Sequence, residues 1–185
     1  MIPPLFRRPD PTIAVLYGAI VAQARDARFY GPYGVPDTVL GRFDLIVLHV
    51  ALLLRRLRAG DAAMRTLAQG VFDAFCRDMD HNLREMGISD QGVPRQMRRV
   101  GEAFYGRAQA YDAALALPGN DALAQALVRN VYAGAGDAHG AAARLATYVR
   151  AAADDLGAQA LEDVARGIVR FPGPAMLAAL AEQTP

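Results

Sequence analysis

The sequence predicts an all-α protein, a single-domain bundle of about six or seven helices, and three observations carry that prediction. Apolar residues recur at helical spacing in several long stretches, while strand-like alternation of any length and repeats of fixed period are both missing. Breaks that contain glycine or proline separate those stretches. Alanine and leucine dominate and all 20 basic residues are arginine; alanine and arginine are both strong helix formers. A chain of 185 residues suits one domain that buries roughly 70% of its unfolded surface. It divides into a half at about 12–117 and an alanine-rich half at about 120–170, joined by the short break Pro118-Gly119-Asn120.

Taken in order, Pro11 and Thr12 open a first helix that runs to about Arg28, and the segment Gly31 to Pro36 stops it. Asp37 is the expected N-cap of the second helix, where Phe43, Ile46, Val47, Val50, Leu53, Leu54 and Leu57 form one stripe. Leu45, Leu48 and Leu52 make its other side apolar, so this helix belongs at the centre of the bundle. Asp61 caps a third helix with Phe72, Phe75, Cys76, Met79, Leu83 and Met86 on one face, and Gly87 ends it. Pro94 fits the first turn of a fourth, whose stripe includes Met97, Val100, Phe104, Ala108, Tyr111 and Leu115. Three shorter helices are expected near 121–133, 137–155 and 158–168, before Phe171-Pro172-Gly173-Pro174 breaks the chain again.

Charge and composition exclude several functions. The net charge of +1 is too small for a nucleic-acid binder, which needs a basic surface. Residues 1–110 carry 15 arginines against 11 acids and residues 111–185 carry 5 against 8, a bias suited to an acidic partner or an anionic membrane surface. Cys76 is alone and has no disulfide partner. The opening MIPPLFRRPDP lacks an apolar run of signal-peptide character, so an uncleaved, cytoplasmic chain is expected. The apolar stretch Leu45 to Leu54 is about half of what a spanning helix needs, which argues against an integral membrane protein.

No catalytic constellation is assembled. Asp78, His81 and Glu85 share a side of the third helix, but an acid-x-x-His metal site needs a second such pair from a facing helix and the chain has none, so no metal is assigned. Ser89 lies in a turn without the strained elbow of a nucleophile, and Cys76 sits on an apolar face that keeps a thiol inert. Without lysine there is no Schiff base and no phosphate-loop lysine, and the stretch Gly134 to Gly140 reads as a helix-to-helix turn. His49, set among leucines, has two readings: a haem or metal ligand, or a core histidine bonded to a backbone carbonyl or to Asp78 or Asp80 of the next helix. No cofactor is expected.

Beyond these patterns, the runs FYGPYGVPDTVLGRFDLIVLHVALLLRRL, FCRDMDHNLREMGISDQGVP and EAFYGRAQAYDAAL within residues 29–111, with LVRNVY at 127–132, place aromatic and charged residues at irregular, specific positions. In these runs the chain resembles the ubiquinol-cytochrome c chaperone family. The resemblance implies an assembly chaperone without enzymatic activity that holds newly made cytochrome b, or a similar membrane-protein client, during cytochrome bc1 complex biogenesis. It further implies a small helical partner protein and peripheral contact with the inner membrane. Phe29, Tyr30, Tyr33, Arg42, Arg55, Arg84, Tyr105 and Arg107 are the candidate client-binding residues, because tyrosine and arginine are favoured at protein interfaces. Ile13, Leu16, Tyr17, Ile20 and Val21 of the first helix would add a wall, while each arginine has an internal alternative partner in Asp44, Asp78, Asp80 or Glu85. The competing expectation is a metal-binding protein or enzyme built on Asp78, His81, Glu85 and His49; a third is a structural homodimer subunit.

Overall fold

A computed structural model describes residues 10–133 and 138–174. Among these residues the chain is all-α, with seven α-helices and no strand. Helix α1 spans Pro11–Ala24, and the Asp10 carboxylate caps it by accepting from the Thr12 amide. It ends earlier than the apolar pattern suggests. Asp26 accepts from the Arg28 amide and thereby starts a separate 3-10 turn, Ala27–Phe29.

Helix α2, Val39–Arg58, is capped by Thr38 rather than Asp37: the Thr38 hydroxyl accepts from the Gly41 amide, while Asp37 pairs with Arg42. Every residue from Asp44 to Leu54 is buried, and α2 packs against α1, α3 (Ala62–Glu85), α4 (Val93–Leu115) and α6 (Ala138–Ala158). The helix that is apolar all round is therefore the one surrounded by others, as its composition requires.

Asp61 caps α3 through the Met64 amide, as expected. The helix closes at Gly87, whose φ of 82° lets the Gly87 and Ile88 amides fold back onto the carbonyls of Arg84 and Leu83. Gly70 brings α1 and α3 together, since a Cβ there would overlap the Ile13 side chain. Pro94 lies in the first turn of α4. Helices α5 (Asp121–Asn130), α6 and α7 (Leu161–Ala165) fall within the three expected stretches or close to them, and α5 packs on α6. The expected turn at Gly134 to Gly140 lies largely outside the described residues.

Buried residues of both halves form one contiguous core, from Leu16 and Phe29 through Leu48, Phe75 and Phe104 to Leu123, Leu145 and Val149. After α7 the chain crosses this core as a strap. Gln159 receives the Arg170 amide at 2.9 Å and donates to the Arg170 carbonyl at 2.8 Å. Gln23 donates to the Pro172 carbonyl, Tyr33 donates to the Pro174 carbonyl, and the Phe171 ring meets the His49 ring edge to face at 5.2 Å.

Candidate functional site

The eight residues expected to face a client separate sharply. Phe29 and Tyr33 are buried, a correction to the expectation that they form a surface. Phe29 packs against Tyr148 of α6, and Tyr33 bonds to the Pro174 carbonyl of the strap while its own carbonyl accepts from the Tyr132 hydroxyl. Tyr30 is half-buried, donating to the Ala24 carbonyl beneath the Arg42 guanidinium. The four arginines all hold acids: Arg42 with Asp37, Arg55 with Asp112, Arg84 with Asp80 and Asp90, and Arg107 with Asp44. Tyr105 is 57% exposed and leans on Phe72 and Phe104.

Of the first-helix wall, Leu16 and Ile20 point into the core. Ile13, Tyr17 and Val21 line an open groove of 480 Å³ against Ala74, Arg77 and Asp78 of α3. The Tyr17 hydroxyl spans it to Asp78 at 2.7 Å, and burial together with that carboxylate raises the pKa of the phenol.

The residues of the metal-site alternative do not come together. His81 pairs with Glu85 on the exposed side of α3, Asp78 holds Tyr17, and among the described residues no three His, Cys, Asp or Glu side chains converge. His49 is fully buried with both nitrogens engaged. A carbonyl only accepts, so Nδ1–H donates to Leu45 O at 2.7 Å, and Nε2 accepts from the Tyr148 hydroxyl at 2.8 Å. Gln23 in turn donates to the Tyr148 oxygen. The side-chain partner is thus a tyrosine of α6, in place of the expected Asp78 or Asp80. Burial lowers the His49 pKa to about 4, which keeps the ring neutral.

A different feature gathers the specific runs of the sequence. A half-open pocket of 310 Å³ lies where the start of α2 meets α4 and the end of α5. Pro36, Thr38, Leu40, Gly41 and Asp44 come from the first run, Arg107 from the third, and Arg129, Asn130 and Val131 from the last. Gly41 makes its wall possible, because a Cβ there would overlap the Pro36 carbonyl oxygen. At the floor, Arg107 Nη2 donates to Asp44 Oδ1 at 2.9 Å, and the guanidinium lies over the Phe43 ring. Asp44 is 3% exposed, and burial pushes its carboxyl up to about 6, an effect that Arg107 only partly offsets.

That floor is not fully satisfied. Arg107 Nε is buried and makes no hydrogen bond of good geometry, and neither does the Tyr111 hydroxyl, which belongs to the core rather than to the pocket lining and has the Asn130 side chain beside it. The third such atom among the described residues is Arg56 Nε. Leu40 of the lining is 62% exposed, and Val39 before it in the chain is 75% exposed. Of the residues that line this pocket, Arg107 alone is among the candidates expected from the sequence, where Asp44 has only the part of a pairing partner and Arg129 has none; Tyr111 lies in the core, as expected. The signal that joins them is that each sits in one of the irregular runs.

The sequence profile described as ubiquinol-cytochrome C chaperone matches residues 32–171. The crystal structure of the Cbp3 homolog from Brucella abortus is 40% identical to this chain and superposes with a TM-score of 0.83, covering 90% of this chain and 92% of the other. No curated protein matches significantly.

Proposed function

The chain belongs to the ubiquinol-cytochrome c chaperone family, and on that premise we propose that it is a non-enzymatic assembly chaperone that holds newly made cytochrome b during cytochrome bc1 complex biogenesis. The observation that carries this reading is the convergence of three separate runs on one pocket whose lining includes a bare aliphatic side chain, Leu40, next in the chain to the equally bare Val39. A protein that shelters a membrane segment needs apolar surface that its own fold leaves uncovered. A second contact fits the hollow of 240 Å³ beside Tyr105, where Leu54 and Phe72 form the base and Arg58 and Arg65 stand at the side. Because Arg42, Arg55 and Arg84 already hold acids, the charged contribution falls to other arginines.

No helix among the described residues is long and apolar enough to cross a membrane. The reading takes the encounter to be peripheral, at the cytoplasmic side of the inner membrane, where client segments emerge and a small helical partner shares the load. The test is photo-crosslinking in cells, with the photoreactive residue placed at Leu40, at Tyr105 and, as a control, at Glu162. Cytochrome b recovered from the first two positions and not from the third supports the reading. Its absence from both sets the reading aside.

A further inference from the structure

Residues 169–174 of the strap are held to the rest of the molecule in the manner of a bound peptide. The last backbone-to-backbone hydrogen bond before them runs from the Ile168 amide to the Asp163 carbonyl, and among the described residues none involves 169–174. Side chains of the body take over. Gln159 grips both main-chain groups of Arg170, its Oε1 accepting from the amide at 2.9 Å and its Nε2 donating to the carbonyl at 2.8 Å. Two residues on, Gln23 donates to the Pro172 carbonyl at 3.1 Å, and after two more Tyr33 donates to the Pro174 carbonyl at 2.8 Å. That period of two is how an extended chain turns successive groups toward one surface.

The strap's own side chains add little. Arg170 and Gly173 are exposed, and Val169 and Phe171 are only half-buried although both pack on the core. Phe171 supplies the one ring, against His49. Main-chain bonds at alternate residues with a single seated side chain are the terms on which proteins take up extended segments of varied sequence. The groove also needs an occupant: Tyr33 is 1% exposed and Gln159 9%, and both spend hydrogen bonds on the strap. A second extended segment would restore each of those bonds, so an exchange of occupants leaves no polar group stranded.

We infer that this groove is a docking site for an extended segment of another protein, with an aromatic side chain at its centre and main chain read on either side, and that the strap fills the groove until such a segment displaces it. The inference goes beyond the client-binding reading above: it uses different residues and does not require that the segment come from cytochrome b.

The probe is the peptide acetyl-Ile-Val-Arg-Phe-Pro-Gly-Pro-amide, added to the full chain and followed by the NMR signals of the Gln23 and Gln159 side-chain amides. Phe171→Ala removes the anchor of the strap and no residue of the groove. It should tighten peptide binding about tenfold or more over the parent, because apparent affinity follows the fraction of molecules whose groove is open. Gln159→Leu added to Phe171→Ala should abolish that gain, and a peptide with Ala in place of Phe should bind neither form. Equal binding to parent and Phe171→Ala, or a gain that survives Gln159→Leu, would overturn the inference. So would a parent dimer that falls to a monomer in Phe171→Ala, which would assign the groove to the strap of a second copy. Where Phe171→Ala loses its helical circular dichroism, the parent decides at peptide concentrations on the order of 1 mM, the scale of a tethered competitor: signals that shift support exchange, and signals that stay fixed refute it. Cytochrome b crosslinked at Leu40 beside a groove that never exchanges leaves the chaperone reading standing and removes only this one.

Discussion

Helix α2 carries two buried polar side chains within two turns of each other, and they are treated in opposite ways. His49 ends a chain in which every step finds its partner: Gln23 donates to Tyr148, Tyr148 to His49, and His49 to the Leu45 carbonyl. The Phe171 ring closes over it. Asp44 pairs with Arg107, whose Nε is left over, beside an opening that the two residues help to line. Burial alone does not distinguish structure from function. Leftover hydrogen-bonding capacity next to an opening does, because a network that served only the fold would have closed on itself.

The largest expected break comes at the pocket wall. Gly41→Ala forces a Cβ onto the Pro36 carbonyl, which is backbone and has no rotamer to yield, so a loss of about 3 kcal/mol or more is expected in urea unfolding. A loss below about 1 kcal/mol would mean the turn before α2 is free to move.

Next in size is an opposed pH dependence. Asp44 has a folded pKa near 6, above the ordinary 3.8. The stability it contributes is complete below the lower value and is lost as pH rises through 6, about 3 kcal/mol in all. His49 has a folded pKa near 4, below the ordinary 6.5. Its contribution is complete above 6.5 and is lost as pH falls toward 4, again about 3 kcal/mol. In the intact protein the two slopes oppose each other between pH 4 and 6. Unfolding free energies measured across that range should separate them: the difference between the parent and Asp44→Asn grows on acidification, while that between the parent and His49→Gln shrinks. Differences that stay constant with pH would mean neither group is desolvated as described.

A smaller pair applies one chemical change to both regions. Tyr148→Phe removes the hydroxyl that serves His49 and Gln23, and should cost about 2 kcal/mol. Tyr111→Phe removes a hydroxyl that has no well-formed partner and should be neutral or stabilising by up to about 1 kcal/mol. Thermal unfolding of the two variants checks the sign, and equal losses would erase the distinction between the regions. Smallest is Gly18→Ala on α1, where a Cβ meets no atom within 4 Å; a gain of up to about 1 kcal/mol is expected from helix propensity, read as a rise in Tm.

Much of the fold was legible because helix periodicity and caps are local. The central place of α2, the Asp61 cap, the stop at Gly87 and the break at Pro118 follow from neighbours within a few residues. Contacts between distant residues were not legible. Pattern alone gave no reason to choose Tyr148 over Asp78 as the partner of His49, or to foresee that Tyr33 would reach the carbonyl of Pro174. The site lay between these extremes. Its residues stood in the irregular runs, but nothing in their spacing brings Asp44, Arg107 and Arg129 to one opening until α4 is packed on α2 and α5 on α4.

The strap also sets an order of events during synthesis. Tyr33 and His49 leave the ribosome early, yet the carbonyl that Tyr33 bonds and the ring that meets His49 belong to Pro174 and Phe171. Until those late residues emerge, the nascent chain displays an aromatic cluster of its own to the same crowded surroundings in which an unfinished membrane protein is found. Ribosome-bound chains halted before residue 171 should bind an apolar dye that the released protein does not.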